Sequence, residues 1–160
     1  MRAFLVQARG VQLHWWNLTS AVGVGAPNNP DDVQLVQFGF VCMGLPNSSM
    51  QDPEIRRLFS QVDPERQRYS ATPTDLLTRC IGALAATRHA GTQDRQVNPF
   101  PEGSVYYRDS GGAEHPYLIG YLMNNIHRAV GAADWPRLDR DPRCPSLVRR
   151  AVSAACTLPS

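Results

Sequence analysis

The sequence predicts a mainly α-helical fold with a minor β component. Five segments begin with proline directly after a candidate capping residue, and behind each proline the apolar residues recur at helical spacing. Proline suits the first helical position because its missing N–H group would have no partner there. The chain has 160 residues, of which 42% are hydrophobic, and this fits a single domain over residues 1–160 with a buried core. We therefore expect one compact helical module of about five helices.

The first element is a predicted β-hairpin within residues 1–19. The stretch FLVQARGVQLHW alternates apolar and polar residues about Arg9 and Gly10, a pattern typical of two short strands and a turn. Residues 20–131 form the predicted core, and residues 132–160 form a C-terminal extension that carries the fifth helix.

The five helix starts are pairs of a candidate cap and proline: Asn29-Pro30, Asp52-Pro53, Thr72-Pro73, His115-Pro116 and Cys144-Pro145. Asn, Asp and Thr accept hydrogen bonds from the free N–H groups of a first turn, whereas His and Cys are poor caps. For Asn29 we predict a side-chain hydrogen bond from the N–H of Asp31 or Asp32. The predicted buried stripe of the first helix consists of Val33, Val36, Phe40 and Met43.

Residues 93–114, between the third and fourth helices, predict a long irregular loop with one strand at Val105 to Arg108. Glu102 and Glu114 lie in this loop and are the one carboxylate pair that we keep as a candidate for acid–base catalysis. No GxSxG motif is present, and no cysteine lies in an activating environment. The sequence therefore predicts a protein that is not an enzyme.

Composition argues against several partners and cofactors. The net charge of +2 is too small to indicate a nucleic-acid partner, and no apolar run reaches the length of a membrane span. The histidines and cysteines lack metal-ligand spacing, so we expect no metal and no cofactor. Glu65 stands beside Arg66 and Arg68, which predicts a solvated face. The four cysteines predict free thiols: Cys42, Cys80, Cys144 and Cys156.

The stretch SAVGVGAPNNPDDVQLVQF, residues 20–38, has more than one interpretation. A phosphate-binding loop is excluded because the Gly-Lys-Ser/Thr ending is missing and Asp31 and Asp32 would repel phosphate. A loop of a carbohydrate-binding module is a second interpretation. The third is structural, since Gly23 and Gly25 allow a tight path into the first helix.

The same stretch resembles the start of peptidoglycan-binding-like domains of a proteobacterial branch. In that branch a Val-Gly-x-Gly loop and Asn-x-Pro-Asp-Asp precede a helix that carries Val-Gln. The matching residues are Val22, Gly23, Gly25, Asn28, Pro30, Asp31, Asp32, Val36 and Gln37. Weaker similarity at DRQVNPFPEGS and YLIGYLMNNI extends the resemblance over residues 15–130. The segment QRYSATPT stands where the family has an Asp-Gly-x-x-Gly-x-x-Thr turn.

The resemblance implies a three-helix core that binds cell-wall glycopeptide and catalyses no reaction. The matching motif supplies Asn28 and Gln37 as candidate ligand-binding residues. Aromatic faces beside polar groups suit sugar rings, which adds Trp15, Trp16, Tyr106 and Tyr107. The N-terminus carries no secretory signal. We therefore expect synthesis in the bacterial cytoplasm and delivery, by a phage particle or a secretion system, to the periplasm or cell wall.

A second function stays open from the sequence. The same scaffold suits protein–protein contacts, or a structural role, in a phage particle or a contractile injection or secretion apparatus, without glycan binding. The replaced turn and the fifth helix, which lies outside the resemblance, favour this alternative. The predicted partner is therefore either peptidoglycan or a protein of such an apparatus.

Overall fold

Helices packed around a central first helix make up most of the fold. A computed structural model describes residues 1–8, 11–88, 95–101, 106–108 and 111–157. A short 3-10 helix covers Trp135–Arg140, and the α-helices are α1 (Pro30–Met43), α2 (Pro53–Phe59), α3 (Leu76–Arg88), α4 (Leu118–Val130) and α5 (Ser146–Thr157). The predicted mainly α fold with minor β structure is confirmed.

Three antiparallel strand pairs supply the β structure. They are β1 (Arg2–Ala8) with β2 (Val11–Asn17), β3 (Val22–Gly23) with β4 (Gln96–Val97), and β5 (Tyr106–Arg108) with β6 (Glu114–Pro116). The first pair confirms the predicted hairpin, and β5 confirms the strand predicted within the long loop. The sequence did not predict β3, β4 or β6, because strands of two or three residues are too short to show alternation.

α1 is buried on nearly all sides, and the predicted single stripe is too narrow. Leu35 and Phe38 lie outside that stripe and are nevertheless fully buried. α4 makes the most extensive contact with α1, and α2, α5 and β3 also contact it. Gly39 permits the close approach of α4, since a Cβ at this position would lie 2.7 Å from the Cβ of Leu122. α1 is therefore the central helix of the core.

α1 and α2 begin at Pro30 and Pro53 as predicted, but the predicted caps and the other starts agree less well. Asp52 caps α2 as expected, with its Oδ1 accepting from the N–H groups of Glu54 at 2.8 Å and Ile55 at 3.2 Å. Asn29 flanks α1 but makes no side-chain capping bond, so that prediction is wrong. The predicted start at Thr72 is also displaced, because Asp75 accepts from the N–H of Leu77 at 2.8 Å and α3 begins at Leu76.

The two weak caps do not cap their helices. His115 lies in β6, where pairing with β5 holds the backbone extended, and α4 begins after it at Leu118. α5 begins at Ser146, and its first N–H groups are bonded to side chains from distant parts of the chain, described below. Val148 and Val152 of α5 belong to the same buried cluster as the residues of α1.

The cysteines are free thiols, as predicted. Cys42, Cys80 and Cys144 are buried, and Cys156 is exposed. In the part of the chain that the structure describes, no helix combines the length and the apolar character needed to cross a membrane.

Candidate functional site

The loop that enters α1, residues 20–29 and here called the entry loop, is closed by one asparagine. Asn28 adopts a φ of 55°, a left-handed conformation that asparagine tolerates better than most residues. Its Oδ1 accepts from the N–H of Gly23 at 2.8 Å, and its Nδ2 donates to the carbonyl oxygens of Gly23 at 2.9 Å and Ala26 at 2.7 Å. The amide of Asn28 is thus bonded within the loop itself.

Asp32, in the first turn of α1, connects this helix by hydrogen bonds to Thr19 and Ser20, where the entry loop begins. Its side chain is 0% exposed and accepts from the Thr19 hydroxyl at 2.6 Å and from the backbone N–H groups of Thr19 and Ser20 at 3.0 and 2.9 Å. The N-terminal ammonium lies 2.9 Å from its Oδ1. Burial by itself would raise the pKa of Asp32, but the hydrogen bonds from Thr19 and the ammonium charge bring the pKa below its ordinary value.

The two glycines of the entry loop differ in how much they are constrained. Gly23 has a φ of 149°, and a Cβ there would lie 2.2 Å from the carbonyl oxygen of Arg95. Gly25 has a φ of 74°, and its nearest neighbour to such a Cβ is 3.9 Å away. Gly23 is therefore required by packing as well as by φ, whereas Gly25 is favoured by φ alone.

Beside the entry loop lies a surface groove of about 380 Å³, here called the α1 groove. One wall is α1, another is the segment of residues 64–69, and Leu147 of α5 completes the lining. Asn28 and Gln37, two of the predicted site residues, both line it. The remaining lining is mixed: apolar Pro30, Val33 and Pro64, the amides of Gln34 and Gln67, the Tyr69 side chain, and the charged Glu65 and Arg68.

Gln37 carries an acceptor that the described residues leave unfilled. Its side chain is 2% exposed, its Nε2 donates to the carbonyl oxygen of Gln67 at 3.1 Å, and its Oε1 is buried with no hydrogen-bond partner among the described residues. Rotating the amide by 180° would set Oε1 against the carbonyl of Gln67, so this orientation is fixed by the backbone. A buried amide oxygen without a donor is unfavourable by about 1–3 kcal/mol.

Gln34 precedes Gln37 by three residues and is bonded at both ends of its amide. Its Nε2 donates to the carbonyl oxygen of Pro64 at 2.8 Å, and its Oε1 accepts from the N–H of Leu147 at 2.9 Å. It therefore joins α1, the 64–69 segment and α5.

Glu65, like Gln34, accepts hydrogen bonds from the start of α5. Its two carboxylate oxygens accept from the N–H of Ser146 at 2.6 Å and from the Ser146 hydroxyl at 3.0 Å. A carboxylate at a helix N-terminus is favourable because it meets free N–H groups and the positive end of the helix dipole. Glu65, Arg66 and Arg68 are exposed, as the predicted solvated face requires, and the contact of Glu65 with Ser146 is an addition that the sequence did not predict.

Tyr69 and Arg68 lie at the far end of the 64–69 segment. The Tyr69 hydroxyl is 2.9 Å from the Thr78 hydroxyl, and burial raises the pKa of Tyr69. Arg68 is exposed and makes no ion pair within the described residues. The groove thus has a positive charge that the described chain does not neutralise.

The predicted tryptophans lie outside the α1 groove. Trp16 is 1% exposed, and its indole N–H donates to the carbonyl oxygen of Trp135 at 3.1 Å. The Trp15 ring packs edge-on against Trp135 at 5.5 Å and Phe100 at 6.4 Å between ring centroids. Both tryptophans thus pack onto the core, and the indole N–H of Trp15 is buried without a hydrogen-bond partner among the described residues.

Two predicted site residues and the predicted acid–base pair cannot be placed by their side chains. Tyr106 and Tyr107 belong to β5, but their side chains lie outside the described residues, as does the side chain of Glu114 in β6. Glu102 lies wholly outside them.

Metal sites and reactive thiols depend on histidine, cysteine and acid side chains. Among the described residues, no three His, Cys, Asp or Glu side chains come together as a metal site. Burial raises the pKa of the Cys42, Cys80 and Cys144 thiols to about 12, so these thiols stay protonated and are poor nucleophiles at neutral pH.

No family model, no curated protein and no solved structure matches this chain. The resemblance to peptidoglycan-binding-like domains therefore stays a prediction from sequence. Of the six predicted site residues, the structure brings Asn28 and Gln37 together in the α1 groove. Sequence reasoning missed Gln34, although two glutamines three residues apart in a nearly all-apolar helix are a signal that pointed to it.

Proposed function

We propose that this chain is a non-catalytic module that binds peptidoglycan through the α1 groove. The observation that carries the proposal is Gln37, which lines that groove and whose buried Oε1 has no hydrogen-bond partner among the described residues. It belongs to the same stretch of sequence that resembles the wall-binding domains. Peptidoglycan offers amide N–H and hydroxyl donors to such an acceptor, and binding sites commonly place a few polar groups on a largely apolar lining.

A binding role without catalysis agrees with the groove chemistry. Glu65 is the one carboxylate among the lining residues, and both of its oxygens accept from Ser146. A hydrolase of glycosidic bonds needs a pair of carboxyl groups across the scissile bond. The described lining supplies no such pair.

Co-sedimentation with purified sacculi tests the proposal. We expect the folded wild-type chain to pellet with peptidoglycan and Gln37→Met to pellet far less, because methionine keeps the shape of glutamine but has neither the amide acceptor nor the amide donor. Gln51→Met makes the same chemical change at an exposed residue outside the groove lining and should pellet like the wild type. A folded wild-type chain that stays in the supernatant would show the proposal to be wrong.

A protein contact through the same groove is the second candidate. Leu147 favours it, since α5 lies outside the resemblance and nevertheless forms part of the groove. In this case the occupant would be a segment of a phage or secretion-apparatus protein. A stable complex on co-expression with the products of neighbouring genes, together with no binding to sacculi, would select this candidate over the first.

A further inference from the structure

We infer that the α1 groove takes the peptide part of its ligand, with an amide N–H on Gln37 Oε1 and a free carboxylate on Arg68. This inference rests on the proposed function and names the portion of peptidoglycan that enters the groove. It follows from three properties of the lining residues: an unfilled acceptor, an unneutralised guanidinium and small apolar surfaces.

The unfilled Oε1 of Gln37 favours a ligand group that carries an N–H or O–H donor. Because the Nε2 of Gln37 donates to the carbonyl oxygen of Gln67, the amide cannot rotate to exchange its Oε1 acceptor for its N–H donors. A ligand carbonyl or carboxylate is therefore disfavoured at this point, and an amide N–H is satisfied there. The Oε1 atom is buried, so a ligand N–H reaches it only when the groove residues around it move apart, and the bond is then shielded from competing water.

The two charged residues of the groove determine the orientation in which a ligand with one carboxylate binds. Arg68 has no ion pair within the described chain, and a guanidinium binds carboxylates in a favourable planar geometry. Glu65 is also a lining residue, held against Ser146, and would repel a second negative charge. A ligand with one free carboxylate is therefore oriented with that group at Arg68 and away from the start of α5.

The low aromatic content of the described groove lining favours a peptide ligand over a sugar ligand. Sugar rings are commonly bound against exposed aromatic faces, but among the described residues Tyr69 is the one aromatic that lines the groove, and its hydroxyl is bonded to that of Thr78. Trp15 and Trp16 pack against Trp135 outside the groove. Val33, Pro64 and Leu147 offer aliphatic contacts that suit the methyl groups of short alanine-containing peptides.

Calorimetric titration with the two halves of peptidoglycan tests this assignment. An amidase separates sacculi into free stem peptides and peptide-free glycan strands, and each fraction is titrated into the full chain. We expect the peptides to bind and the glycan strands not to bind. Arg68→Ser should weaken peptide binding about tenfold, the effect of losing one charge-assisted hydrogen bond. The affinity of the wild type should fall with added salt.

Arg66→Ser is the matched control, because Arg66 lies two residues away, is exposed, and does not line the groove. Its affinity should equal that of the wild type. Amidation of the peptide carboxyl groups should weaken binding to the wild type about tenfold. The same amidation should not weaken binding to Arg68→Ser, which has already lost the guanidinium. This double comparison assigns the lost affinity to the Arg68–carboxylate contact.

Two results would overturn the inference while leaving the proposed function standing. These are binding of glycan strands without binding of peptides, and binding of intact sacculi with binding of neither fraction. Equal peptide affinity of Arg68→Ser and the wild type would overturn the carboxylate assignment. No binding to sacculi or to either fraction would overturn both the inference and the proposed function.

Discussion

The entry loop and the α1 groove adjoin each other, contain similar polar residues and treat them in opposite ways. In the entry loop, both ends of the Asn28 amide are bonded to nearby backbone, and the Asp32 carboxylate is surrounded by donors. In the groove, the Oε1 of Gln37 and the guanidinium of Arg68 have no such partners among the described residues. The comparison teaches that the side chains of Asn28 and Asp32 are bonded within the chain, whereas two polar groups of the groove are not bonded to any described residue.

Gln34 and Gln37 repeat the same contrast within one turn of α1. The amide of Gln34 is bonded at both ends, to Pro64 and Leu147, and that of Gln37 at one end only. The two residues are of the same type, and they differ in how many atoms of the amide have a hydrogen-bond partner among the described residues.

The largest effect is expected at the first glycine of the entry loop. Gly23→Ala should destabilise the fold by more than about 3 kcal/mol, because a positive φ and steric overlap each contribute. The overlap is with the Arg95 carbonyl oxygen, 2.2 Å from the added Cβ. Gly25→Ala, whose added Cβ would make only an ordinary contact at 3.9 Å, should lower stability by about 1 kcal/mol through its positive φ. Urea denaturation of both variants measures the difference, and equal losses would contradict this account of the loop.

Asp32→Ala should destabilise the fold by about 3 kcal/mol, since it removes a buried carboxylate and leaves several donors unpaired. Chemical denaturation near neutral pH, compared with Asp31→Ala, which removes a half-buried carboxylate bonded to the N-terminal ammonium, measures the effect. A loss no larger than that of Asp31→Ala would show that the buried contacts with Thr19 and Ser20 do not hold the loop.

The pH dependence of stability gives a separate check on Asp32. Its pKa in the folded chain is below its ordinary value of 3.8, so the folded state binds fewer protons than the unfolded state in this range. The stabilisation is therefore fully present above pH 3.8 and is lost as the pH falls through the folded pKa. Asp32→Asn should flatten the decline of melting temperature with falling pH below this value.

A middle-sized effect is expected for the two glutamines of α1. Gln34→Met should lower stability by about 2 kcal/mol, because it breaks two hydrogen bonds worth about 1 kcal/mol each. Gln37→Met breaks one bond but also removes the unfilled buried Oε1, so these opposing effects should leave stability within about 1 kcal/mol of the wild type. Thermal denaturation of the two variants, with Gln51→Met as the exposed control, gives the order. A larger loss for Gln37→Met would mean that its Oε1 has a partner in the folded chain.

The smallest effect is expected at the edge of the entry loop. Asn29→Ala should change stability by less than about 0.5 kcal/mol, because no side-chain capping bond is lost. Asp52→Ala, at the matching position of α2, should lower stability by about 1 kcal/mol, since its carboxylate caps two N–H groups. Paired melting curves test the contrast, and a similar loss in both variants would revive the capping role of Asn29.

Much of the fold follows from local sequence. Proline and helical spacing locate all five α-helices, and the alternation around Arg9 and Gly10 predicts the first hairpin. The exact caps were harder to predict, since Asn28 and Asn29 offer the same side chain at adjacent positions. Only the backbone path decides that Asn28 bonds the loop and Asn29 stays exposed.

The candidate site could be predicted only in part. Asn28 and Gln37 belong to one continuous stretch, so a motif can point to them. Their neighbours in the groove come from the segment of residues 64–69 and from Leu147, far along the chain. No local periodicity connects such distant segments, and the unfilled acceptor of Gln37 becomes visible only when all its surroundings are in place.

The bonds from Gln34 and Glu65 to the start of α5 have a consequence for the order of folding. They join residues 113 and 81 positions apart, and contacts of such long separation form late because a large loop must first be closed. During synthesis, α1 and the 64–69 segment leave the ribosome well before Leu147 does. The finished groove, and with it any ligand binding, would therefore arise only after most of the chain has been translated.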